Sequence, residues 1–422
     1  MRRPGALLAA AFLLCGCSSP VRLMPTPTVL VGGAQNSFTE VAPAEQDTAI
    51  EVLYATNRMP TGPDSARTYT RLRGNSLRLG VASVRIGGDA KTWDALQAMS
   101  TSDAPGERPL LTLTALRELT VVDGARDPDA VAREFFVHVD ELLARSPDRD
   151  VLIYVHGANT DVERAAAQAA QWRHFTGRNS VVLVFAWPSA GTLFRYGRDV
   201  ATARHTVPDF ALLLDLLSRH TRAAHINVLA YSAGAMIASP GLARAADEST
   251  AEPGRLRLGE IYYAAPDVDF PDFVDNLPRY EARVRRVTVA LNMGDRALSF
   301  AQWRHRVSRA GRPNLAEIGP DETQWLKEAS GRGQLDVIAV RPEDLPGLPA
   351  SSHSFWYDHP WVSSDVLLKF RFHAAPPARG LTHNDAARVV QFWTFPPGYA
   401  QDLPQIVRRL AGDAPAAAQV AH

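Results

Sequence analysis

The chain has 422 residues, 46% of them apolar and 21% charged, with 45 Lys+Arg against 45 Asp+Glu. This composition excludes wholesale disorder. A formal charge of zero, without a run of five basic residues, lacks the electrostatic footprint of a protein that neutralises many phosphates, so nucleic acid is not an expected partner.

Residues 1–16 read as a signal: Met1-Arg2-Arg3, an apolar stretch from Ala6 to Leu14, then Leu14-Cys15-Gly16-Cys17. The apolar run is far shorter than the ~20 residues a spanning helix needs. The last four residues resemble the bacterial lipobox, which implies cleavage before Cys17, acylation of its thiol and attachment to a membrane of the bacterial cell envelope. Ser18 in place of Asp leans towards the outer membrane, facing the periplasm. Both cysteines of the chain lie here, so the mature fold has no disulfide and must rely on its core. Residues 17–47, rich in Pro, Thr, Ala and Gly, are expected to form a tether between membrane and fold.

Residues 48–130 carry β-like runs at 51–55, 76–86 and 110–114, separated by Gly, Pro and Asp, and predict a small antiparallel β extension of the core. From residue 131 to 375 helical segments alternate with short, continuous apolar strands at 150–155, 180–186, 225–231, 260–265, 286–291 and 335–340. That alternation predicts an α/β core with a mainly parallel sheet covered by helices on both faces. Phe210, Leu213, Leu214 and Leu217 recur at i, i+3, i+4, i+7 and belong against the sheet. In the C-terminal extension, 376–422, the apolar run Phe392-Trp393-Thr394-Phe395 is expected to pack back on the domain, and the Ala-rich tail after Gly412 to fray.

The sharpest chemical feature is Ala230-Tyr231-Ser232-Ala233-Gly234, between an apolar strand and an Ala/Met/Ile-rich helix. A turn this tight requires small residues two before and two after the serine, and it exposes the Ser232 hydroxyl above the positive end of a helix. The second is the strand 151–155 ending in His156-Gly157-Ala158-Asn159. Backbone amides of Ala158 and Ala233 are candidates for an oxyanion hole; His156 reads as a brace for its loop rather than a base. Hydrolases built on such an elbow carry an acid and then a histidine further along the chain. Asp295, directly after the strand 286–291, is the favoured acid, with Asp267 and Asp269 as rivals. His353 is the favoured base, with His359, His373 and His383 as rivals. Trp187, Phe194, Tyr196, Phe355, Trp356 and Tyr357 are either lining of an acyl pocket or plain core.

Tyr54-Ala55-Thr56-Asn57-Arg58, His156-Gly157-Ala158-Asn159, Phe185-Ala186-Trp187-Pro188-Ser189 and Ala264-Ala265-Pro266-Asp267-Val268-Asp269 together resemble the α/β-hydrolase family catalogued as domain of unknown function 900. The resemblance spans roughly residues 50–370 and implies an α/β-hydrolase fold and esterase activity. Two positions depart from the family pattern. Ala158 replaces a bulkier aromatic, and Tyr231-Ser232-Ala233 replaces His-Ser-Met, so the pocket wall differs.

No His-Glu-x-x-His, no cysteine pair outside the signal, no Walker-type loop and no strand followed by Gly-x-Gly-x-x-Gly occurs, so no metal or cofactor is indicated. The sequence thus predicts a lipid-anchored serine hydrolase of small-molecule or lipid carboxylic esters. An acyltransferase or peptidase on the same residues, and a surface-anchored binding protein without turnover, are the alternatives.

Overall fold

The computed structural model describes residues 20–33, 37–38, 41–88, 92–123, 133–190, 196–252, 254–384 and 392–418. The signal, Cys17 and Phe194 lie outside these. In chain order the strands are β1 (Ala49–Thr61), β2 (Thr68–Ile86), β3 (Leu111–Val122), β4 (Val151–Val155), β5 (Val181–Phe185), β6 (Ile226–Tyr231), β7 (Leu258–Ala264), β8 (Arg286–Leu291), β9 (Leu335–Ala339), β10 (Thr382–Asn384) and β11 (Phe392–Thr394). The helices are α1 (Trp93–Ser100), α2 (Arg133–Arg145), α3 (Val162–Phe175), α4 (Tyr196–His220), α5 (Ala235–Glu248), α6 (Phe270–Tyr280), α7 (Arg296–His305), α8 (Pro320–Gly331), α9 (Phe355–Asp358), α10 (Pro360–Phe372) and α11 (Tyr399–Ala418).

The strands form one 11-stranded sheet in the order β10-β11-β9-β8-β7-β6-β4-β5-β1-β2-β3. From β1 to β11 the pairings are parallel, while β2 and β3 extend one edge as an antiparallel margin and β10 closes the other. The parallel strands are apolar throughout because both faces are covered. Along β4, Val151, Ile153 and Val155 enter one core with α2, α4, α5, α6 and α8, whereas Leu152 and Tyr154 enter the other with α3, α10 and α11. Phe210, Leu213, Leu214 and Leu217 of α4 are all fully buried, as their spacing requires.

The C-terminal extension does pack back on the domain: β11 joins the parallel sheet beside β9, and Tyr399, Leu403, Ile406 and Val407 of α11 are buried. Rather than fraying after Gly412, the backbone stays helical to Ala418.

The reading of residues 17–47 as a tether requires correction over the described part. Leu23, Met24, Val29 and Leu30 are buried. The Leu23 amide donates to Pro109 O at 2.8 Å, Met24 to Gln171 Oε1 at 2.9 Å and Val29 to Ser364 Oγ at 3.0 Å. These residues are a strap across the fold. Their Pro content marks backbone without regular partners, which side chains of α3 and α10 supply instead.

Candidate active site

Ser232 follows β6 with φ of +52° and opens the turn Ser232–Gly234 that leads into α5. A non-glycine residue in this region is strained and persists only when the surroundings dictate it. Here they do. A Cβ at Gly234 would lie 2.4 Å from Val155 O and 2.9 Å from His156 O, so only glycine lets the helix start against the end of β4. Ala230 is fully buried in β6, and the Ser232 carbonyl accepts from the Asp267 amide at 3.0 Å.

Asp295 comes directly after the β8 loop and caps α7: one carboxylate oxygen accepts from the Leu298 amide at 3.0 Å. The other lies 2.5 Å from His353 Nδ1, and the Asp295 side chain is fully buried. With its proton on Nδ1 the imidazole donates to Asp295, leaving Nε2 to accept from Ser232 Oγ at 2.8 Å. The structure therefore brings Ser232, His353 and Asp295 into one hydrogen-bonded series across 121 and 58 residues of chain.

Two neighbours hold this series in shape: Asn292, which sequence reasoning gave no role, and Tyr231, which it placed in the pocket wall. Asn292 donates to Ala350 O at 3.2 Å and Ser352 O at 2.9 Å, tying the acid's loop to the histidine's, while its own Oδ1 accepts from Gly294 N at 2.9 Å. The only sequence signal was an amide side chain at the end of a strand three residues before Asp295. The Tyr231 ring lies 5.3 Å from the His353 ring and 5.8 Å from that of Trp356, closing one side of the imidazole.

The rival residues are engaged elsewhere. Asp267 accepts from Tyr196 OH at 2.7 Å and from Arg309 Nε at 2.6 Å, and Arg309 also pairs with Asp269. His359 caps α10 and bonds Pro346 O at 3.1 Å. His373 lies beside Asp150 near the start of β4, and His383 stacks edgewise on Trp393 in the β10–β11 hairpin. His156 is fully buried, stacked on Trp187 and bonded through Nδ1 to Gly157 O at 2.7 Å. Burial, aided by Arg58, pulls its pKa down to about 3, so it stays neutral. Among the aromatics, Trp187, Phe355 and Trp356 are core, and Tyr357 packs edgewise on Tyr231.

Arg58, from the first motif, is fully buried and joins the Phe185–Ser189 motif to Thr160, the residue that follows His156–Asn159. A bulge in β1 between Thr56 and Arg58 turns its side chain inward. The guanidinium donates to Ala186 O at 3.1 Å, Trp187 O at 2.5 Å and Thr160 O at 2.7 Å. It therefore clamps the β5 exit to the loop that carries Gly157 and Ala158. Gly157 itself abuts the elbow: a Cβ there would stand 3.0 Å from Ser232 Cβ. Ala158 follows it on this half-buried loop, and Ala233 is buried in the first turn after Ser232.

A cavity of about 690 Å³ lies between β8, β9, α6 and α8. It shares Asn292, Gly294 and Ala350 with the supporting loops but touches neither Ser232 nor His353. Among the described residues, Asp148, Asp150 and His373 could hold a metal ion, with ligand atoms within 4.8 Å of one another. They sit near the start of β4, at the opposite end of the strand from Gly157, and Asp150 is already bonded to His225 and Asn227.

A mainly parallel sheet, a serine on a strained strand-to-helix turn, and an acid and a histidine on later loops define an alpha/beta hydrolase. More particularly, the chain belongs to the family described as alpha/beta hydrolase of unknown function (DUF900), which matches residues 132–353, more than half its length. No curated protein and no solved structure matches the chain.

Proposed function

We propose that the protein is a serine hydrolase of carboxylic esters. The observation that carries this reading is the continuous series from Ser232 Oγ through His353 to the buried Asp295 carboxylate, at 2.8 and 2.5 Å. In the proposed reaction His353 Nε2 takes the Ser232 proton as Oγ attacks the acyl carbon, and Asp295 stabilises the imidazolium. The carbonyl oxygen gains negative charge against the amides of Ala158 and Ala233, each such donor being worth about 3 kcal/mol. His353 then protonates the leaving alcohol, and water, activated by the same imidazole, releases the acid from the acyl-enzyme. No metal or cofactor enters this scheme. A fluorophosphonate probe should add one adduct to the wild-type protein and none to Ser232→Ala; undiminished labelling of that variant would place the nucleophile elsewhere.

The reading includes anchoring in the bacterial envelope through an acylated Cys17, on the strength of Leu14-Cys15-Gly16-Cys17 after a short apolar run. Cys17→Ala should move the protein from the membrane fraction to the soluble one; continued membrane retention would count against the anchor.

A further inference from the structure

If the chain is anchored at Cys17, the strap fixes which way the active site looks. Arg22 bridges Leu110, Leu111 N donates to Val21 O at 2.9 Å and Leu23 N to Pro109 O, so the chain is bound to the fold from residue 21 onward. Only residues 18–20 remain between Cys17 and the bound Val21, and those four residue steps span at most about 14 Å.

The register of the sheet locates that attachment. Leu111 pairs with Ile86, and the neighbouring Arg85 pairs with Ala49, so Leu111 stands level with the residue before β1. Leu53 lies level with Leu183, Ile153 and Val228 in the adjacent strands, and Ser232 is four residues beyond Val228. The attachment and Ser232 thus differ by about nine residues along the strands, roughly 30 Å, and by five strand positions across the sheet, roughly 24 Å. Both separations exceed the reach of the linker. The exposed Met293, Phe300 and Trp303 lie in the loop and helix that follow the Asp295 end of β8.

We infer that the domain rests on its anchoring membrane by the end of the sheet where β1 and β4 begin, with Ser232 opening away from it. Its substrates are then esters that arrive from the aqueous side, dissolved or dispersed, and not acyl lipids of the bilayer that holds it. This inference rests on the ester-hydrolase and Cys17 readings above.

The test uses the full acylated chain in vesicles of phosphatidylethanolamine and phosphatidylglycerol. Cleavage before Cys17 would leave Cys17 as the mature chain's one cysteine, so an introduced cysteine is the sole free thiol. A donor dye at Asp103→Cys, in the exposed loop before β3, should transfer energy to an acceptor lipid several-fold more strongly than one at Arg304→Cys on α7. Equal or reversed transfer would overturn the orientation. Separately, a 30-residue Gly/Ser insertion after Ser18 should raise hydrolysis of an ester embedded in the same bilayer at least tenfold, with hydrolysis of dissolved p-nitrophenyl butyrate unchanged. If the chain without the insertion already cleaves the embedded ester as fast, the inference fails while the hydrolase reading stands. If Ser232 takes no fluorophosphonate, or Cys17 no acyl group, the underlying reading fails and this inference with it.

Discussion

At the scale of single residues, the two aspartate regions, of which sequence favoured Asp295 and kept Asp267 and Asp269 as rivals, are distinguished by what their carboxylates touch. Asp295 faces His353 and a helix amide, whereas Asp267 faces Arg309 and Tyr196. Asp295→Asn is therefore predicted to lower kcat on p-nitrophenyl esters by about 10³- to 10⁴-fold with little loss of stability, because an amide no longer selects the Nδ1 tautomer. Asp267→Asn should instead lower the melting temperature, since it leaves the buried Arg309 with a single carboxylate, and the cost of breaking such a pair is about 3–5 kcal/mol. The opposite ranking in paired activity and thermal-melt measurements would return the acid's role to Asp267. Asn292 acts through others. Asn292→Ala frees Ala350 O and Ser352 O, so His353 wanders: kcat should drop about 10- to 100-fold with KM nearly unchanged, by analogy with the groups that orient metal-binding histidines. A change confined to KM would argue that Asn292 meets substrate directly.

The elements show how far the sequence could be read and where it stopped. The six parallel strands from residue 150 to 340 were legible because each is a short apolar run covered on both faces. The elbow was legible because its geometry admits only small residues at fixed offsets, as the Gly234 contacts illustrate. By contrast β10 and β11 have three residues each, too few for any period, and take their conformation from the edge of β9. The Tyr54–Arg58 motif could be seen but not interpreted, since three of the four carbonyls that Arg58 bonds come from residues more than 100 positions away. Burial pulls the Arg58 pKa down to about 10, still high enough to keep it charged at neutral pH. Its planar fork serves four carbonyls set in different directions, which a lysine ammonium on a flexible stem cannot. Arg58→Lys is accordingly predicted to lower the melting temperature and, by loosening the Gly157–Thr160 loop, to lower kcat more than it raises KM. Unaltered kinetics in a protein that still melts lower would confine Arg58 to a structural role.

For the whole molecule, stability should respond to acid through histidines held neutral in the core. The folded pKa of His156 is about 3 and that of an unfolded histidine about 6.5, so below pH 6.5 the unfolded chain binds the extra proton. The stabilisation is complete above pH 6.5 and is lost as pH falls towards 3, at about 1.4 kcal/mol per unit. Asp148 and Asp199, both raised by burial to about 6, act in the opposite sense between pH 6 and 4 and mask part of the slope. His156→Gln isolates the histidine: its deficit in urea midpoint relative to wild type, present at pH 8, should narrow as pH drops from 6.5 to 4. A constant deficit would mean that His156 takes up its proton in the fold as readily as in the unfolded chain. The strap makes a second demand on the whole molecule. Residues 18–33 would be dispensable as a tether, yet Leu23, Met24, Val29 and Leu30 each bury a side chain worth about 1.5–3 kcal/mol. Val29 and Leu30 also line one recess together with Trp172, Leu367 and Phe370. Since a domain's entire margin is about 5–15 kcal/mol, deleting residues 18–33 should consume most of it. Expressed without them, the chain should melt far lower or fail to stay soluble. Leu30→Ala alone should cost about 2–5 kcal/mol by denaturant titration, while leaving fluorophosphonate labelling of the folded fraction intact. A deletion variant that melts with the wild type would show that the strap lies on the fold without supporting it.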